Sequence, residues 1–179
     1  MMPRPKFDFD NVFVIGFNKT GTTSANRFLQ NLGLKHLSIN RHVKARWEKK
    51  DYDYLIWLTG RFNSFDDVPW NRNDVIERLM PLDRDSRFIL TVRDPDQWFD
   101  SYVRFEARRF PPAESDRSKM IDFRLERDEL CRTLAKKYGR QLLEIDVTRE
   151  TEANLAIGQF LGFKDNEIPE FPHLNRTQG

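Results

Sequence analysis

Short apolar runs alternate along this chain with stretches whose apolar residues recur at helical spacing. The run NVFVIGF (11–17) is apolar and β-branched, the pattern of a strand covered on both faces. In TTSANRFLQNLG (22–33), Ala25, Phe28, Leu29 and Leu32 fall three and four residues apart and Gly33 stands where a helix stops, so a helix is predicted there. A second helix is predicted over about 40–50, and YDYLIWLTG (52–60) reads as a strand or buried segment. NRNDVIERLMPLD (71–83) is a helix whose length Pro81 limits, and SRFILTVRD (86–94) is the clearest strand of the chain. DPDQWFDSYVRFEARRF (94–110) is a helix opened by an Asp-Pro start signal. PPAESD (111–116) is a loop, and a long amphipathic helix follows over about 117–138. GRQLLEIDV (139–147) is a strand, ETEANLAIGQFLG (150–162) a helix, and the proline-containing tail NEIPEFPHLNRTQG closes the chain.

Strands separated by helical stretches predict an α/β fold of three layers, α/β/α, with a mostly parallel central sheet. No repeat, low-complexity tract or linker interrupts the 179 residues, so one domain spanning 1–179 is expected. In such a sheet, ligands bind at the carboxyl ends of strands, where the chain turns into the next helix.

Composition removes several function classes. Thirty Lys plus Arg against 28 Asp plus Glu leave a net charge of +2, too little for a general nucleic-acid-binding field, so a basic site must be local. The apolar runs fall far short of the roughly 20 residues that cross a bilayer, and MMPRPKFDFD lacks the apolar core of a signal peptide. A cytoplasmic protein with no membrane partner is expected. One cysteine, Cys131, excludes an internal disulfide framework, and three scattered histidines form no zinc-spaced cluster. Cys131 lies in a helical pattern and is expected to be a packing residue; for Trp57, Trp70, Trp98 and the many phenylalanines core packing is expected ahead of lining an acceptor pocket.

Two strand-to-helix turns carry unusual chemistry. In VIGFNKTGTTS (14–24), Gly16 and Gly21 permit a compact loop, and the amides of Gly21, Thr22, Thr23 and Ser24 open a helix. A helix start with this loop is an anion site. Lys19 adds a full charge beside Asn18, and the hydroxyls of Thr20, Thr22, Thr23 and Ser24 add donors, so a phosphate-like ligand is predicted. An ordinary glycine turn with a solvated lysine is the plain alternative, and the combination of strand, loop lysine and GTTS weighs against it. The loop is not the nucleoside-triphosphate motif GxxxxGK[ST], because Thr22 stands where that motif requires lysine.

KTGTTS (19–24) resembles the 5′-phosphosulfate loop of the sulfotransferases and fits their K-x-G-T-T/S core residue for residue. These enzymes take 3′-phosphoadenosine 5′-phosphosulfate as sulfuryl donor on a P-loop NTPase-like α/β fold. Their 3′-phosphate is held by an arginine ending a strand and a serine eight positions on. In TVRDPDQWFDSY, Arg93 and Ser101 stand at that spacing. The chemistry suits the residues: a guanidinium fork binds phosphate in a bidentate manner, and a serine two turns further on adds a neutral donor. SRFILTVRDPDQWFDS, LLEIDV, IGQFLGF and PEFPHLNR resemble a compact branch of the same family, and FDDVPW (65–70) resembles its D-x-P element. Residues 36–60 are the least recognisable, and an acceptor pocket is expected there.

The resemblance implies in-line transfer of a sulfuryl group to a hydroxyl or amine of a small molecule or glycan. Lys19 is expected to meet the charge on the leaving oxygen, with no metal. For the base that receives the acceptor's proton, Asp67 is favoured because it lies in the D-x-P element, with His36 and His42 next; Glu48 and Asp66 are further acids in the region. Arg104, Arg108, Arg109, Arg117 and Lys119 form either a lid over an anionic ligand or a solvated helix face. Two readings from other classes stay open, a P-loop kinase or NTPase and a non-catalytic nucleotide-binding domain.

Overall fold

The structure, a computed structural model, describes residues 7–82, 85–108 and 116–172. Five parallel strands form its sheet: β1 (Asn11–Val14), β2 (His36–Leu37), β3 (Ser64–Asp66), β4 (Ser86–Thr91) and β5 (Gln141–Ile145), in the order β2-β3-β1-β4-β5. Helices follow the strands: α1 (Thr22–Asn31), α2 (Arg41–Glu48), α3 (Tyr52–Leu58), α4 (Asn73–Leu79), α5 (Pro95–Glu106), α6 (Arg117–Lys137) and α7 (Ala153–Phe160), with a 3-10 turn at Asp165–Glu167. Because successive strand residues point to opposite faces, β1 serves two cores. Phe13 and Ile15 join Phe65, Trp70, Ile76, Phe88, Leu90, Cys131 and Leu134 on one side, while Val12 and Val14 join Ala25, Phe28, Leu29, Ile89, Ile145 and Ile157 on the other. On the first side Phe13 stacks between Phe65 and Phe88, with centroids 4.9 and 5.4 Å away, a ladder of rings across the three central strands. These two cores and the sheet between them are the three expected layers.

The helix at 22–33 ends as the pattern predicts, with Gly33 at φ 85°. The Asp-Pro signal is also read as expected: Pro95 opens α5 and the Asp94 carboxylate accepts the Gln97 amide at 3.1 Å. One element differs in type. Residues 52–60 were expected as a strand or buried segment and instead form α3, because Asp51 caps the Tyr54 amide (3.2 Å) and Leu55 and Leu58 bury one face of a helix while Trp57 stays 47% exposed. An apolar run of seven residues fits either period, and the cap decides it. Trp57 is thereby no core residue; it lies between Tyr54 and Arg61 at the surface. β2 and β3, two and three residues long, were not anticipated. The expected loop at 111–116 lies outside the described residues except for Asp116, which caps α6. Among the described residues no helix is long and apolar enough to cross a membrane.

Candidate active site

The carboxyl ends of β1, β3 and β4 are neighbours, and three turns meet there. After β1 the chain stays tied to β4 through Ile15, whose amide donates to the Ile89 carbonyl at 2.9 Å. Gly16 then passes so close to β4 that a Cβ would lie 1.8 Å from Thr91 Oγ1. Only glycine fits. Thr20 Oγ1 donates to the Phe17 carbonyl (2.6 Å) and shares a hydrogen bond with Thr91 Oγ1 (2.7 Å), and its side chain is wholly buried. The Thr20 hydroxyl therefore shapes the loop from beneath; it does not face outward with those of Thr22 and Thr23. Ser24 is buried as well, and its amide turns back to the Gly21 carbonyl at 3.0 Å.

Lys19 and Gly21 both hold positive φ, 67° and 95°. A left-handed backbone at a non-glycine residue costs about 1 kcal/mol or more and collects at ligand sites. Here it folds the loop over the start of α1, where the amides of Gly21, Thr22 and Thr23 precede the first bond of the helix. A helix start of that geometry can receive an anion. The Lys19 Nζ lies over the Phe105 ring of α5, 4.8 Å from its centroid.

The second turn grips the first at two consecutive carbonyls. Trp98 Nε1 donates to the Asn18 carbonyl at 2.9 Å, and Arg93 Nη1 reaches the Lys19 carbonyl at 3.3 Å. Among the described residues, Arg93 Nε and Asn18 Oδ1 are both buried without a hydrogen-bond partner. Unpaired buried polar atoms are uncommon enough to call for an explanation. Among the described residues neither neighbouring carboxylate is paired with Arg93: Asp94 caps α5, and Asp96 pairs with Arg117 at 2.9 Å. Ser101 is buried on α5, one turn beyond Trp98.

The third turn follows β3, where Asp66 stands level with Val14 of β1. Asp66 is buried and accepts from Asn26 Nδ2 (3.1 Å) and faces His36 Nε2 (3.0 Å); the other ring nitrogen of His36 meets Ser64 Oγ at 2.6 Å. Both nitrogens of His36 are thus engaged by protein groups, an arrangement that holds Asp66 rather than one open to an acceptor. Asp67 has φ 57°, is half-buried, and accepts the Val68 amide on its Oδ1 at 2.8 Å. His42 stands exposed on α2 against the Tyr54 hydroxyl, 3.1 Å away. Arg93 meets the loop at Lys19, Ser101 is buried on the helix that follows Arg93, Asp67 lies at the adjacent strand end, and His42 stands exposed on α2.

A family model described as Sulfotransferase domain matches residues 11–155. The chain belongs to the sulfotransferase family. No match is found among curated proteins. Among solved structures the chain is similar to the shikimate kinase of Acinetobacter baumannii in complex with shikimate, at 17% identity and TM-score 0.59, covering 87% of this chain and 94% of that one. It is also similar to the shikimate kinase of Bacteroides thetaiotaomicron, at 14% identity and TM-score 0.52, covering 85% and 94%. At such identities the likeness concerns the fold, and it marks this sulfotransferase as a P-loop-like α/β protein.

The candidate site also contains residues whose part in it the sequence does not show. Thr91 and Trp98 hold the loop, and Asp66, which the sequence marks only as a further acid, anchors the β3 turn. Arg124, Arg127 and Asp128 of α6 are buried beneath all three turns. A signal for the last group was present: they occupy the same helical stripe as Cys131, Leu134 and Ala135, where an amphipathic pattern calls for apolar residues. Cys131 itself is buried, and burial pushes its thiol above the ordinary range, as expected of a packing residue.

Proposed function

We propose that this sulfotransferase takes 3′-phosphoadenosine 5′-phosphosulfate as donor and transfers its sulfuryl group to a hydroxyl or amine of a small molecule or glycan. The observation that carries the reading is the closure of the two turns, Arg93 on the Lys19 carbonyl and Trp98 on the Asn18 carbonyl, which leaves the Arg93 Nε uncommitted beside the lysine loop. A donor with anionic groups at both its 5′ and 3′ positions needs two such sites at a fixed separation.

In the reaction the acceptor oxygen or nitrogen attacks sulfur, a new bond to sulfur forms, and the bond from sulfur to the bridging phosphate oxygen breaks. Adenosine 3′,5′-bisphosphate leaves with the bonding electrons. The helix-start amides of Gly21, Thr22 and Thr23 hold the 5′ group, Lys19 meets the charge on the bridging oxygen, and Arg93 with Ser101 holds the 3′-phosphate. Because positive charge is supplied by the chain, the reading requires no metal. Asp67 receives the acceptor's proton; it is the half-buried candidate at the end of a strand adjacent to β1, whereas His36 is committed on both nitrogens.

Thermal unfolding with adenosine 3′,5′-bisphosphate, with ATP plus magnesium, and without ligand tests the reading, since a ligand that binds the native state raises its stability. The bisphosphate is expected to raise the melting temperature without metal and ATP much less. Equal shifts reject the 3′-phosphate assignment, and a shift with ATP and magnesium alone favours a kinase or NTPase.

A further inference from the structure

Helix α6 buries three charged side chains that play no part in the chemistry above. Arg124, Arg127 and Asp128 are 2%, 4% and 1% exposed. Asp128 lies between the two guanidinium groups, with Oδ2 3.2 Å from Arg124 Nε and Oδ1 3.3 Å from Arg127 Nη1. Burial pushes the Asp128 carboxyl upward, and the two arginines oppose that shift. Two cations share one anion. Burying charge is costly, and a set with a surplus cation is less favourable than an apolar filling of the same space.

Other donors of the two arginines go to main-chain carbonyls in the turns that follow three strands. Arg127 Nη2 donates to the Ile15 carbonyl, directly ahead of Gly16, and to the Asn71 carbonyl at 2.7 Å. Asn71 in turn donates its amide to the Asp67 carbonyl at 3.0 Å. Arg124 Nη2 donates to the Arg93 carbonyl at 2.6 Å. The Arg124 guanidinium also sits 5.2 Å from the Trp98 ring, which holds the Asn18 carbonyl, and its Nη1 is buried without a partner. One helix face therefore grips the base of the lysine loop, the Asp67 turn and the arginine turn together.

We propose that Arg124 is a positioning residue for recognition of the 3′-phosphate: anchored through Asp128 and Arg127 to the base of the lysine loop, it holds the Arg93 carbonyl and sets the separation of the two anion-binding turns. The surplus positive charge of the two arginines over the one aspartate adds to the field at Arg93. The inference rests on the reading of Arg93 given above.

The test measures the affinities of wild type, Arg124→Met and Arg124→Lys for adenosine 3′,5′-bisphosphate and adenosine 5′-monophosphate by calorimetric titration, beside their melting temperatures. Wild type is expected to prefer the bisphosphate. Arg124→Met is expected to lower that preference about tenfold, the scale of one lost hydrogen bond involving a charged group. Its melting temperature should fall modestly, because the Arg93 carbonyl and Asp128 Oδ2 each lose a donor while Arg127 and Asp128 remain as a pair. Arg124→Lys keeps the charge without the fork and should lie between the two. A merely structural role would weaken both nucleotides in parallel, and an unchanged ratio in Arg124→Met overturns the proposal. If Arg124→Met does not fold, the ratio in Arg124→Lys decides in the same way. A wild type with no preference for the bisphosphate overturns the reading of Arg93 itself, before any variant is compared.

Discussion

The lysine loop and the β3 turn lie on adjacent strands, yet they are held by different kinds of contact. The loop is shaped by backbone: Gly16 fits against Thr91, Lys19 and Gly21 take positive φ, and the ties from Arg93, Trp98 and Arg127 end on carbonyl oxygens. The β3 turn is held by side chains meeting side chains, Asn26 and His36 on Asp66 and His36 on Ser64, contributed by three separate stretches. Contacts to carbonyls constrain shape and leave most side chains free to vary. A network of side chains constrains identity, and it stands on the side where an acceptor would be chosen. On the function proposed above, the turn that would hold the donor is fixed by loop geometry, and the turn beside it by which residues happen to meet.

The comparison breaks most visibly at Asp67. Asp67→Asn is expected to lower transfer by about 10²- to 10⁴-fold, the range of general-base catalysis, while leaving bisphosphate affinity in place. Single-turnover transfer from labelled donor to an acceptor found by screening measures it, and a wild-type rate would remove Asp67 from the chemistry. On the other half, Lys19→Ala should slow transfer by about 10²- to 10³-fold and still bind the product nucleotide. Loss of binding and transfer together would make the lysine a binding contact first, and Lys19→Arg would then separate the two roles.

Smaller effects sharpen the contrast. Arg93→Ala should weaken adenosine 3′,5′-bisphosphate by about 1.5 to 3 kcal/mol and Ser101→Ala by roughly 1, because only the first loses a charged donor. Unchanged affinity in a folded Arg93→Ala protein would be incompatible with the assignment. Asp66→Ala leaves His36 Nε2 and Asn26 Nδ2 without an acceptor and should cost about 1 to 3 kcal/mol of stability. Denaturant unfolding reads that cost, and titration of the same variant should find bisphosphate affinity unaltered. A change there would mean that the β3 turn shapes the donor loop as well.

The two halves were also unequally legible. The strand, the two glycines, the lysine and the Arg93–Ser101 spacing lie within short windows, and the helical and strand periods that frame them are local signals. They predicted the architecture and placed β1, β4, β5 and most helices. Residues 36–67 resisted for physical reasons. β2 and β3 are too short to show a period; β3 depends on pairing with β1 across some 50 residues of chain, and β2 on pairing with β3. The run at 52–58 is apolar enough for either structure, and only the Asp51 cap resolves it. Asp66 and His36 reveal themselves only when their strands are side by side. Arg124 and Arg127 had a local signature, charges on an apolar stripe, but their carbonyl targets lie 31 and 112 residues away.

The position of β1 in the sheet has a consequence for synthesis. Val12 lies beside both Ser64 and Arg87, so β1 is flanked on both edges only after β3 and β4 have both been produced. Contacts of such long sequence separation form slowly, and an apolar strand with open edges is prone to association with other chains. A nascent chain stalled before residue 86 therefore exposes β1 along one edge, and slower elongation lengthens the time for which a growing polypeptide depends on chaperones to keep that edge from finding a copy of itself.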